Sequence, residues 1–190
     1  MRAMEQKILN EGSVLPGGIL KVGSFLNQQI DTAFLKEIGE EIARLFAADK
    51  VTKILTIESS GIAIAAAAGI EMGVPMVFAK KHKSSNVDGE VYSAVVHSFT
   101  KNTDYNVVVS RDYLTGADRV LLVDDFLAAG NAFFGLLELC RQAGAEVAGF
   151  SAAIEKGFQG GGDKLREKGY KVESLALIEK MTDSGIEFRA

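Results

Sequence analysis

Apolar and polar positions alternate along this chain in a repeating order: short apolar run, turn residues, helical run. Residues 2–11 read as a short helix. Gly17 and Gly18 open a brief apolar stretch from Ile19 to Val22. After Asp31, residues Phe34, Leu35, Ile38, Ile42, Leu45 and Phe46 recur at helical spacing, with Asp31 placed to cap the helix. Residues 54–57 predict a strand, 62–72 an alanine-rich helix, and 76–79 a second strand. Residues 80–89 are polar and cationic and predict an exposed loop. Residues 90–99 and 105–110 predict strands paired across a Lys-Asn-Thr-Asp turn. Residues 120–123 form the continuous apolar run of a strand buried on both faces. A helix over 131–142, a strand over 147–154, a short charged helix ending at 168, and strands over 172–178 and 186–188 complete the chain. Strands alternating with helices predict an α/β fold: a doubly wound, mainly parallel sheet flanked by helices. Its chemistry is expected in the loops at the carboxyl ends of the strands.

Composition narrows the class. The chain has 190 residues, enough for one domain, with no repeat or linker. Its single cysteine excludes a disulfide scaffold. Its 21 Lys and Arg against 25 Asp and Glu give a net charge of −4, which argues against sequence-independent nucleic-acid binding. No apolar run is long enough for a membrane helix, and the first residues lack the apolar core of a signal peptide. A cytoplasmic protein is expected. The 20 glycines against 2 prolines point to many tight loops.

The most informative segment runs from Val120 to Ala132. An apolar strand ends in Asp124 and Asp125, and Phe126 and Leu127 follow. The small residues Ala128, Ala129, Gly130, Asn131 and Ala132 then lead into a helix. Small side chains let backbone amides approach a phosphate, and the helix start adds a favourable dipole. The two carboxylates suit ribose hydroxyls or a Mg²⁺-bound diphosphate. Spacing alone leaves open an ordinary strand-to-helix turn with acids near a helix start. Glu58-Ser59-Ser60-Gly61 has a similar setting, with amides at Ser60 and Gly61; the plain alternative is a helix capped by Ser60. Lys156 follows an apolar strand beside Glu155, where an ordinary surface ion pair is the alternative. Neither histidine, His82 or His97, has metal-ligand spacing; His97 reads as structural and Cys140 as a small buried residue. Walker A, dinucleotide and Ser-His-Asp signatures are absent.

The 120–132 segment resembles the PRPP-binding motif of type I phosphoribosyltransferases (PRPP is 5-phosphoribosyl 1-diphosphate). It departs from the common form in carrying Ala128, Ala129 and Ala132 where hydroxyl residues occur. The resemblance extends to Leu20-Lys21-Val22, Ser24-Phe25-Leu26-Asn27, Glu58-Ser59-Ser60-Gly61 and Ile154-Glu155-Lys156-Gly157-Phe158-Gln159-Gly160-Gly161-Gly162. These blocks are most similar to the purine-salvage branch of the family whose base is xanthine.

That resemblance implies a single domain over 1–190 with a small hood built from N-terminal residues and the C-terminal part. It implies conversion of xanthine and PRPP to xanthosine 5′-monophosphate and diphosphate. Ala128, Ala129, Gly130, Asn131 and Ala132 would bind the 5′-phosphate, Ser60 and Gly61 the diphosphate, and Lys81 the leaving group, across a subunit boundary. Leu20, Asn27 and Lys156 would contact the purine, with Phe126 stacked on it. Asp124 and Asp125 would be catalytic. Mg²⁺ would enter with PRPP, with no direct protein ligand, and the enzyme would be a homodimer. Two alternatives stand: the same class acting on hypoxanthine, guanine or adenine, or a non-catalytic PRPP-sensing regulator. The second usually needs an added DNA-binding domain, for which a chain of 190 residues with a net charge of −4 is expected to leave no room.

Overall fold

A computed structural model describes residues 1–16, 18–81, 90–98, 103–182 and 185–189. In chain order the elements are α1 (Arg2–Glu11), β1 (Ser13–Leu15), β2 (Ile19–Lys21), a π-helical turn (Gly23–Asn27), α2 (Thr32–Leu45), β3 (Lys53–Ile57), α3 (Gly61–Met72), β4 (Met76–Lys81), β5 (Val91–Ser98), β6 (Thr103–Ser110), β7 (Arg119–Leu127), α4 (Asn131–Ala143), β8 (Glu146–Lys156), a 3₁₀ turn (Gly157–Gln159), α5 (Gly161–Glu167), β9 (Val172–Thr182) and β10 (Gly185–Phe188).

Among the described residues eight strands form one sheet in the order β10-β9-β8-β7-β3-β4-β6-β5. The five central strands, β9, β8, β7, β3 and β4, are parallel; β10, β6 and β5 add antiparallel edges. The doubly wound, mainly parallel sheet expected from the alternation is therefore the observed one. Its apolar runs are buried on both faces because side chains alternate along a strand. Ile54, Leu121 and Val123 join the core under α1, α2 and α3, whereas Leu55, Val120 and Leu122 join the core under α4. Asp31 caps α2 as expected: its Oδ1 accepts from Phe34 N at 3.1 Å, a contact worth about 1 kcal/mol.

Three of the boundaries that differ from expectation bear on the site. Lys80 and Lys81, read as loop, belong to β4, because Val108 and Val107 of the β5–β6 hairpin pair with them beyond the parallel part of the sheet. A polar sequence gives no sign of such a distant partner. The rest of the expected loop, residues 82–89 with His82, lies outside the described residues, as do Gly17 and residues 99–102. β7 continues through Asp124 and Asp125 to Leu127, so both acids lie in the strand rather than beyond it. β8 likewise includes Glu155 and Lys156. Before α2, β1 and β2 form a short antiparallel pair.

The sheet opens in one place. β3 pairs with β7 only from Lys53 to Leu55, opposite Val120 to Leu122, whereas β7 and β8 stay paired to Leu127 and Glu155. Strand order also reverses between β3 and β7: the chain runs outward from β3 to β4 in one direction and from β7 to β8 and β9 in the other. Such a reversal leaves a crevice at the carboxyl ends of the strands, where ligands of open α/β sheets bind.

Candidate functional site

The crevice between β3 and β7 gathers most of the residues singled out by the sequence. Asp124 is buried, at 9% exposure, and its Oδ1 accepts from Asp125 N at 2.9 Å. Asp125 Oδ1 accepts from Phe126 N at 3.0 Å. Burial first, and the adjacent charge of Asp125 second, push the Asp124 carboxyl well above its ordinary range, while Lys81 pulls weakly the other way. An acid so placed favours an arriving hydroxyl donor or cation.

From the β3 side, Gly61 begins α3 directly against Asp124. A Cβ on Gly61 would lie 2.9 Å from Asp124 Oδ1 and 2.1 Å from Thr56 Oγ1. Only glycine fits there, and the backbone approaches the acids closely as a result. Ser60 precedes it but makes no side-chain cap bond, so the capped-helix alternative does not hold. The Glu58–Ser59 peptide is cis. Glu58 Oε1 accepts from Lys81 N at 2.5 Å and ties this turn to the end of β4. Lys81 Nζ stands 5.2 Å over the ring of Tyr105, whose hydroxyl is pushed up by burial and then by the Asp124 charge.

Beyond β7, residues 128–132 turn into α4. Gly130 is buried, and the Asn131 side chain donates to His97 O at 2.9 Å, so the side chain is taken and its backbone is what remains for a ligand. His97 Nδ1 lies 2.6 Å from Asp104 Oδ1 across the β5–β6 pair.

The N-terminal segment approaches the same strand end. Asn27, the last residue of the π turn, donates through Nδ2 to Asp125 Oδ2 at 3.2 Å. Leu20, on β2, is buried in the core under α1 and α2. Lys156, the last residue of β8, donates to Gly18 O at 3.3 Å and stands 5.6 Å over the Phe126 ring. Burial lowers its pKa. The surface ion pair considered for Lys156 is not formed. Glu155 points to the other face and binds Arg166, because neighbours on a strand face opposite ways. Asn27, Phe126 and Lys156 thus converge on one end of the crevice, and Ser60, Gly61, Asp124, Asp125 and the 128–132 loop line the rest; Leu20, expected at the base, packs into the core instead.

Sequence reasoning missed Thr56, whose Oγ1 is fully buried without a hydrogen-bond partner among the described residues. It also missed Tyr105 and the Glu155–Arg166 pair. A charged residue at the end of the apolar run Ala152-Ala153-Ile154 was the available signal for the last. Cys140 is buried in α4, where burial pushes its thiol up to about 12.

A doubly wound sheet with paired acids at its switch point, facing a small-residue loop at a helix start, is the frame of a phosphoribosyl-transferring protein. The chain belongs to the phosphoribosyl transferase family, whose domain matches residues 27–185. Among curated relatives, it is 51% identical to the xanthine phosphoribosyltransferase of Bifidobacterium adolescentis over the full length of both chains. It is 50% identical to that of Bacillus cereus, over 99% of this chain and 95% of the relative. An APRTase from Giardia lamblia complexed with 9-deazaadenine superposes with a TM-score of 0.79 at 21% identity, over 94% of this chain and 98% of its own, which shows the shared fold. Among the described residues no helix is long and apolar enough to cross a membrane.

Proposed function

We infer that this protein transfers the 5-phosphoribosyl group of PRPP to xanthine, yielding xanthosine 5′-monophosphate and diphosphate in purine salvage. The observation that carries the reading is the convergence, at the β3–β7 opening, of two carboxylates, a backbone-lined loop and the half-buried Lys156. The half-identical relatives carry the same activity in their names.

In the reaction a purine nitrogen attacks C1′ of PRPP. The N–C1′ bond forms, the C1′–O bond to diphosphate breaks with its electron pair on the diphosphate, and the attacking nitrogen gives up its proton to the departing diphosphate or to water. Glycosyl transfer of this kind passes through an oxocarbenium-like state, so positioning and charge stabilisation dominate. Asp124 and Asp125 accept hydrogen bonds from the ribose hydroxyls and offset positive charge building at C1′. Ala128, Ala129, Gly130, Asn131 and Ala132 hold the 5′-phosphate through backbone amides. Ser60, Gly61 and Lys81 receive the diphosphate. Mg²⁺ bound with PRPP would neutralise charge on the leaving diphosphate, with Asp124 and Asp125 beside the oxygens that hold it. The acid pair, with Asp124 buried and Asp125 half-buried, fits such an ion. Among the described residues no cluster of three or more ligating side chains exists, and Mg²⁺ carried in by phosphate oxygens does not require one.

Base choice rests on Lys156 and Asn27, with Phe126 packing the ring. The Lys156 ammonium only donates, so it favours the carbonyl-rich xanthine over adenine, whose amino group would face it as a second donor. The Asn27 amide both donates and accepts. We propose further that the chain forms one domain over 1–190, with the N-terminal segment and the C-terminal part as its hood, that it is cytoplasmic, and that it works as a homodimer without nucleic-acid or membrane partners. The net charge of −4 supports the lack of a nucleic-acid partner. A groove of about 770 Å³ lined by Met76, Phe78, Val108 and Tyr113, with Phe78 and Tyr113 exposed, supports the dimer. Sedimentation tests it: a monomer at micromolar concentration overturns it.

The deciding experiment supplies PRPP and Mg²⁺ with xanthine, hypoxanthine, guanine or adenine and measures diphosphate release. Xanthine is expected to turn over fastest. Preference for another base corrects the substrate, and no release with any base overturns catalysis in favour of a PRPP-binding regulator.

A further inference from the structure

Behind the 128–132 loop lies a buried ion pair that the mechanism above does not use. Glu155, next to last in β8, sits opposite Leu127, the last residue of β7, and so is level with the start of the loop. Its side chain is 1% exposed. Arg166 of α5 donates to both of its oxygens, at 2.8 and 2.7 Å, and Ser174 Oγ of β9 donates at 2.5 Å. A carboxylate so enclosed is tolerated only with its donors in place. The same pair anchors α5: a Cβ on Gly162 would meet Glu155 Oε1 at 1.9 Å. One residue earlier, Gly161 N donates to Ala128 O at 3.0 Å, and a Cβ there would lie 2.3 Å from Ala128 O and 2.6 Å from Gly130 N.

The Ala128 carbonyl and the Ala129 N–H share one planar trans peptide and point in opposite directions. Holding that carbonyl against α5 therefore aims the Ala129 N–H away from α5. We propose that Glu155 and Arg166 are positioning residues for the 5′-phosphate: their ion pair seats α5, Gly161 clamps the Ala128 carbonyl, and the loop amides are thereby held ready for the phosphate. This rests on the reading of residues 128–132 as the 5′-phosphate loop.

Titration calorimetry with ribose 5-phosphate, and separately with diphosphate plus Mg²⁺, tests it. E155Q/R166Q keeps a hydrogen-bonded pair without charge, and so avoids the orphaned buried carboxylate that removal of Arg166 alone leaves. G161A disturbs the clamp from the other side. Both variants are expected to weaken ribose 5-phosphate about 10-fold and diphosphate less than about 2-fold, and to raise KM for PRPP but not for xanthine. Arg166→Lys, which cannot form the two-pronged contact, is expected to fall between them and the parent. Unchanged ribose 5-phosphate binding in both variants, or equal losses for both ligands, overturns the proposal. A129D puts a carboxylate into the loop itself. If A129D leaves ribose 5-phosphate binding intact, the loop reading fails. If A129D abolishes it while the other variants bind normally, the loop reading stands and only the positioning role fails.

Discussion

The proposed phosphate end and the proposed base end of the crevice are built in different ways. At the phosphate end, backbone is pressed against side chain and backbone from behind: neither Gly61 nor Gly161 has room for a Cβ. At the base end, contacts are few and long. Asn27 reaches Asp125 at 3.2 Å, and Lys156 reaches Gly18 O at 3.3 Å. A Cβ on Gly18 would meet nothing within 4 Å. Phosphate and ribose are the same whatever base is used, so a rigid, preorganised holder suits them. A base-reading end held by exchangeable side chains can be retuned without disturbing that holder. The comparison predicts that damage at the phosphate end lowers turnover with every base, whereas damage at the base end changes which base is used.

The largest effect is expected at the acids. D124N/D125N should fold, since burial opposes a charge at Asp124 and asparagine carries none. It should lose about 10²- to 10³-fold in kcat with xanthine, hypoxanthine and guanine alike, the scale of removing a preorganised charge-stabilising group. Steady-state assays with each base check this, and a loss confined to one base would break the comparison.

Next comes the base end. K156M removes a donor from a half-buried position and should raise KM for xanthine about 10- to 100-fold, the cost of a lost charged hydrogen bond, with KM for PRPP within about 2-fold. The ratio of xanthine to adenine turnover should fall with it. A rise in KM for PRPP as large as that for xanthine would place Lys156 at the wrong end. A smaller change is expected from G61A. Its added methyl collides with Thr56 Oγ1 and should cost about 1–3 kcal/mol of stability in urea unfolding. T56A should recover part of that loss in G61A/T56A, because it removes the colliding oxygen; no recovery would place the strain at Asp124 instead.

This division also governs how much the sequence revealed. The apolar runs of β3, β7 and β8, the helical spacing of α2 and the Asp31 cap depend on local pattern, and all were legible. So was the gathering of acids and small residues at one strand end, since they lie together over 120–132. Contacts that join distant segments were not. Lys80 and Lys81 look like loop because β6, which makes them strand, lies some 27 residues on. Glu155 looks like the partner of Lys156 because adjacency in sequence hides the opposite facing of neighbours on a strand. Its true partner, Arg166, belongs to a helix whose packing only the fold sets. Nor does the Gly160–Gly162 run show in sequence that Gly161 lies behind the loop and Gly162 against Glu155.

The smallest expected effects are in the pH dependence of stability, and they take opposite signs at the two ends. Asp124 titrates higher in the folded protein than its ordinary value of 3.8, because of burial and then Asp125. The folded state thus binds more protons than the unfolded state between those two values. The contribution of Asp124 is fully present below about pH 3.8 and is lost as pH rises through the folded value. Lys156 is depressed by burial below its ordinary 10.5, so the unfolded state binds more protons in its window, and stability rises with pH up to about 10.5. Urea midpoints measured across pH should therefore show D124N flattening a decline on the acid side and K156M flattening a gain on the alkaline side. An acid-side slope in D124N equal to that of the parent would mean that the buried carboxyl carries no such load, and the contrast between the two ends would then rest on packing alone.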